Sequence, residues 1–161
     1  EHLNSTVLQT GRWGYESNYT GFLSLVAHEY FHLWNIKRIR PKALGPFDYD
    51  NENYTNLLWV AEGITSYYDD LITHRAGFMT ADQYLNSMAG SIGNTENAPG
   101  NRVQTLAECG WDAWIKYYRP NENSNNSTIS YYTKGSIIAM LLDLEIMQST
   151  NGQKSMNDVL R

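Results

Sequence analysis

A single, mainly α-helical domain is the fold this chain predicts, and three observations carry that expectation. Apolar residues recur at helical spacing over residues 21–38, 55–75 and 136–148, with a shorter stretch over 80–90. Helix-start chemistry precedes these stretches at Asn18, Thr55 and Thr80, and Pro41 and Gly77 stand after the first two. The sequence H-E-x-x-H lies inside the first stretch, at His28, Glu29 and His32. A weak alternation in residues 1–10 adds one short N-terminal β segment.

Taken in order, the first helix spans about 21–38 and is expected to be buried on most sides, since Phe22, Leu23, Leu25, Val26 and Ala27 surround the motif. Lys37, Arg38, Arg40 and Lys42 follow it, where cations favour exposed helix carbonyls. Residues 41–54 read as an ordered loop. Thr55 caps a second helix whose stripe includes Val60, Ile64, Tyr67, Tyr68 and Leu71. A third helix opens at Thr80 and runs to about residue 90, before a Gly- and Asn-rich loop over 91–104. Residues 105–118 are partly helical, and 120–128 form an Asn-rich polar loop. The most apolar helix runs over 136–148, and Ser155-x-x-Asp158 is a capping-box start for a last one.

With 161 residues, 42% of them apolar and 13% aromatic, the chain can bury a real core as one domain covering 1–161. Twelve basic against 17 acidic residues give a net charge of −5, which leaves no footprint for nucleic acid and no polybasic membrane patch. No apolar run approaches the length of a membrane span. The single cysteine, Cys109, reads as a small buried apolar side chain with no internal disulfide partner, which leaves a bacterial cytoplasm or periplasm equally open. A first residue Glu rather than Met suggests a piece of a longer chain.

Two imidazoles four residues apart on a helix stand about one turn and ~40° apart, so both can reach one ion. Glu29 lies about 100° round from His28, beside such an ion without ligating it. Two nitrogen ligands, a base and an open position for water are the layout of a zinc hydrolase. Chance alone gives roughly 0.005 matches to this pattern in a chain of this composition. A core helix with two satisfied histidines is the plainer alternative.

Two histidines hold zinc poorly, so a third ligand is needed from another element. Glu52, Glu62, Asp69, Asp70 and His74 are the candidates, and position 38, where a third histidine would stand in another zinc motif, is Arg38. Glu52 falls in a loop, whereas Glu62 sits on the apolar side of the second helix, where an unpaired carboxylate is expensive. Glu62 is therefore the expected ligand. Asp69, about 20° from it round the axis, is placed to accept the free N–H of His28 or His32.

The run H-E-Y-F-H-L-W-N followed by W-V-A-E-G-I-T-S-Y-Y resembles the gluzincin zinc metallopeptidases. Together with KRIRP, PFDY, ENYT and YYTKG, it looks specifically like the glycyl aminopeptidase family. The resemblance implies a thermolysin-like catalytic domain with Zn2+ on His28, His32 and Glu62, and Glu29 as general base. It assigns the oxyanion-stabilising phenol to Tyr132, with neighbouring Tyr131 the open rival. It also makes Glu1 a candidate for binding the free amine of a peptide substrate, although His2 stands where the family usually has Asn. The implied activity is release of N-terminal Gly, and less readily Ala. An endopeptidase of the same fold and a non-catalytic metal-bearing binding domain are the alternatives. The family also implies an upstream β-rich domain and a possible downstream PDZ domain.

Overall fold

The computed structural model describes residues 3–161, in which the regular structure is helical and one isolated bridge, Asn35 with Ile39, is the only β-type pairing. Residues 5–11 carry no regular structure, so the N-terminal β segment expected from their alternation is not found among the described residues. A strand needs a neighbour for its backbone groups, and no described element offers an edge.

A single turn, α1 (Gly14–Ser17), leads into the motif-bearing helix α2 (Tyr19–Phe31). Asn18 caps α2 by accepting the Gly21 N–H at 3.0 Å. The helix ends well before residue 38, because the backbone tightens: Leu33 N–H donates to the Tyr30 carbonyl at 3.1 Å and Trp34 N–H to that of Phe31 at 2.9 Å. Nor is it buried on most sides. None of its residues is fully covered, and Tyr30 is 57% exposed.

Thr55 Oγ1 accepts the Leu57 N–H, but the expected second helix begins later, as a π-turn over Trp59–Gly63 that passes into α3 (Ile64–Arg75). Asn35, 1% exposed, reaches from the end of α2 into this turn and donates its amide to the carbonyls of Val60 (2.8 Å) and Ala61 (3.2 Å). An inserted residue loosens the α-helical ladder, and this side chain pairs the carbonyls concerned. Gly77, at φ 83°, stops α3 as its sequence suggests.

The helix α4 (Ala81–Asn97) opens with a Thr80–Gln83 capping box and continues through the expected loop at 91–97. Gly90 and Gly93 each lower helix propensity by about 1 kcal/mol, but α4 rests on α3 and on α7 (Thr133–Ser149), and packing outweighs propensity. Between them lie α5 (Leu106–Trp111) and a single turn in the Asn-rich stretch, α6 (Ser124–Ser127). The Ser155–Asp158 box starts α8 (Met156–Val159). Among the described residues no helix is long and apolar enough to cross a membrane.

The core has two parts. Ile64, Tyr67, Tyr68, Leu71, Ala139 and Met156 form one; Cys109, Ala113, Ile129 and Tyr131 form the other. The apolar helix α7 buries its small face, Gly135, Ser136 and Ala139, and leaves Leu141, Leu142 and Leu144 about half exposed. Small residues are needed inside because α7 crosses the π-turn backbone to backbone: a Cβ at Gly63 would lie 2.5 Å from Gly135 Cα. Replacing Gly63 by Ala is expected to cost about 1–3 kcal/mol by forcing the crossing apart. Urea denaturation measures this, and a loss under ~0.5 kcal/mol means the contact relaxes freely.

Candidate active site

The crossing matters because Glu62 immediately precedes Gly63, and Tyr132 stands three residues before Gly135. One contact between two glycines thus carries both side chains to α2. There His28 and His32 face the same way, their rings 4.7 Å apart and perpendicular. Glu62 Oε2 lies 3.2 Å from His28 Nε2 and 3.2 Å from His32 Nε2. One donor atom from each of the three residues falls within 4.8 Å of the others.

The outer ring nitrogens are tied as well. His28 Nδ1 is 3.0 Å from Asp69 Oδ2, and His32 Nδ1 is 2.8 Å from the Asn35 carbonyl. A carboxylate and a carbonyl only accept, so each Nδ1 carries a proton, and each ring, once neutral, would present the lone pair of Nε2 to an ion held beside Glu62. Asp69 therefore partners His28, and His32 takes a backbone partner instead. This donor set, two imidazole nitrogens and a carboxylate with the tautomers preset, fits a divalent zinc-type cation.

The electrostatics agree with that arrangement. Burial by itself lowers the His28 pKa, but hydrogen bonds to Asp69 and then Glu62, with both charges, lift it to about 9. For His32 burial again opposes, and the bond to Glu62 raises the net value. Burial would raise Glu62, yet its bonds to both histidines hold it at about 2. In Asp69 burial dominates and pushes the carboxyl up to about 6 against the pull of His28. Without a cation, then, a proton on His28 Nε2 is held in the space between the three donors.

A cavity of about 1100 Å3 opens over the cluster, and Glu29, half-buried, lines it with both histidines and Glu62. Tyr132 lines it too, its ring 6.2 Å from that of His28. Burial and the neighbouring Glu62 charge push its phenol well above the ordinary range, which keeps it a donor. Tyr131 is 1% exposed, belongs to the second core, and donates to the Tyr118 hydroxyl at 2.8 Å. Of the two rivals, Tyr132 is the one that faces the cavity.

The other candidates lie elsewhere. Glu52 is exposed, and His74 is engaged by the Met79 carbonyl at 2.8 Å and stacks on Tyr84. Asp70 accepts from Ser24 (2.7 Å) and Ser87 (2.6 Å), tying α2 to α3 and α4. Glu1 lies outside the described residues. Cys109 is buried and donates to the Ile129 carbonyl at 2.8 Å. Sequence reasoning missed Asn35, which orients His32 through its carbonyl and the Glu62 turn through its amide. Its position three residues after His32, at the end of an apolar run, was the available signal.

Comparison with known proteins narrows the possibilities. The family model described as M61 glycyl aminopeptidase matches residues 21–138. The crystal structure of an aminopeptidase N family protein from Idiomarina loihiensis is similar over 94% of this chain, with 39% identity and a TM-score of 0.86. The chain spans 25% of that protein's length. No curated protein matches it. The family match covers both histidines, Glu29, Glu62 and Tyr132, and on it the chain belongs to the M61 glycyl aminopeptidase family.

Proposed function

We propose that this chain carries the catalytic centre of a zinc-dependent aminopeptidase, acting on peptides with a free N-terminus and favouring Gly, then Ala, as the residue released. The supporting observation is the convergence of His28, His32 and Glu62 within 4.8 Å, in a chain of this family. These three residues would hold the ion, which when bound acidifies water and polarises a carbonyl. Asp69 and the Asn35 carbonyl keep the two imidazoles aimed. Glu29 takes the proton of the attacking water and delivers it to the leaving amine. The Tyr132 phenol donates to the carbonyl oxygen as negative charge gathers there. Glu1 pairs with the substrate ammonium, a role that rests on the family resemblance.

The test is zinc analysis followed by turnover. One equivalent of zinc and cleavage of a free but not an acetylated glycyl peptide are expected. Cleavage of both makes the chain an endopeptidase, and a full equivalent with no turnover of either, in the full-length protein as well as in this chain, indicates a structural metal.

Replacing Tyr132 by Phe is expected to lower kcat about 10²–10³-fold with little change in KM, because the phenol acts on charge that appears only in the transition state. Steady-state kinetics on a glycyl substrate check this.

Zinc competes with the proton held on His28, whose value is raised to about 9. Apparent zinc affinity is therefore expected to climb as pH rises from about 6.5 to 9, with proton release. Calorimetry in buffers of different ionisation enthalpy measures the protons released; none at pH 7 contradicts the competition.

A further inference from the structure

Beside the donor cluster lies a second cavity of about 440 Å3 with aromatic walls. Two ring pairs build it: Tyr54 stacks on Trp111 with centroids 5.1 Å apart, and Trp114 leans on Tyr118 at 5.4 Å. Phe47 and Leu58 add to the apolar lining. The cavity adjoins the one over the donors, since Phe47, Glu62 and Trp114 line both. Whatever enters it lies next to the reacting centre.

Its chemistry is one-sided. Trp111 is 54% exposed, Trp114 67% and Tyr118 50%, so indole and phenol surface stands uncovered among the residues that line it. Among the described residues Glu62 is the sole charged one in the lining, and its carboxylate is already engaged by both histidines. Asn53 and Thr55 are neutral. Nothing there would balance a cationic or anionic guest, whereas apolar surface gains from burial. The volume is that of a small-ligand pocket, a class of about 300–1,000 Å3.

We propose that this pocket receives a bulky apolar side chain, aromatic or branched aliphatic, from a substrate residue flanking the scissile bond. The proposal rests on the aminopeptidase reading and adds a substrate class to it. A released Gly or Ala has too little side chain to fill the space, so the residue after the bond occupies it when the leading one is small. Burial of such a side chain next to the reacting bond raises kcat/KM roughly 10–100-fold.

The test compares the zinc-loaded chain on the free-amine dipeptide amides Gly-Gly, Gly-Phe, Phe-Gly, Gly-Lys and Lys-Gly. A Phe peptide is expected to exceed Gly-Gly roughly 10–100-fold, with neither Lys peptide doing so. A gain for Gly-Phe seats the following residue in the pocket. A gain confined to Phe-Gly seats the leading residue there, which keeps the pocket and overturns the preference for Gly. In Trp114→Ala or Tyr54→Ala the ratio of Phe to Gly peptides should fall toward one. Equal rates across the series, or Lys favoured as much as Phe, overturns the proposal. If no peptide is cleaved, calorimetric binding of L-phenylalaninamide against glycinamide decides the pocket independently of turnover. At least about tenfold tighter binding of the aromatic amide, removed by Trp114→Ala, supports it, and equal binding overturns it.

Discussion

Replacing Glu62 by Ala is expected to leave a folded chain that no longer retains zinc. The residue supplies the carboxylate that meets both Nε2 atoms at 3.2 Å, and nothing else among the described residues completes the group. Loss of a partner one layer further out typically costs about 10–100-fold in metal affinity, so loss of a ligand should exceed that. The difference should be plain in a melt. With zinc at ~1,000 times its Kd, the unsubstituted chain gains about 4 kcal/mol, or roughly 8–16 °C in Tm, and the variant gains almost nothing.

The ion-free chain gives a second readout with a definite sign. Glu62 has its pKa lowered from 4.5 to about 2, so its contribution is present above pH 4.5 and lost as pH falls through about 2. His28 is raised from 6.5 to about 9, so its contribution is complete below pH 6.5 and lost as pH rises through about 9. Both are whole only between about pH 4.5 and 6.5. The destabilisation caused by Glu62→Ala should therefore be largest in that window and shrink toward pH 9. A variant that binds a full equivalent with unchanged affinity removes Glu62 from the ligand set.

Glu29→Gln is expected to keep one equivalent of zinc and lose about 10²–10⁴-fold in kcat. Glutamine matches the size and the hydrogen-bonding reach of the carboxylate but cannot accept the proton that the attacking water must give up. Because Glu29 is outside the converging donor set, metal content should not change. Zinc analysis and single-turnover kinetics on one sample separate the two effects. Activity within tenfold of the unsubstituted chain would place the base elsewhere, and loss of the metal would make Glu29 a structural residue.

Much of this was legible in the chain because the signals are local. The spacing of His28 and His32 is a property of one helix. The helix start at Thr80, the capping box at Ser155 and the stop at Gly77 each lie within a few residues of the helix end they mark. Glu62 stood out as a carboxylate on an apolar stripe, and that stripe does pack against α2. The π-turn carrying Glu62 was invisible, since five residues of π-helix show the same apolar pattern as five of α-helix. The length of α4 was misjudged because two glycines weaken a helix in isolation, while contact with α3 and α7 holds it.

The residue types of the site and their order on two helices were determined by the sequence itself, because hydrogen-bonding periodicity along a helix sets which side chains share a face. Three-dimensional packing alone decided that Asp69 meets His28 and Asn35 meets His32, that Tyr132 rather than Tyr131 faces the cavity, and that rings distant in sequence line a pocket beside it. Those choices depend on where one helix crosses another. Here the crossing is set by the van der Waals contact of Gly63 with Gly135, seventy-two residues apart and on different elements.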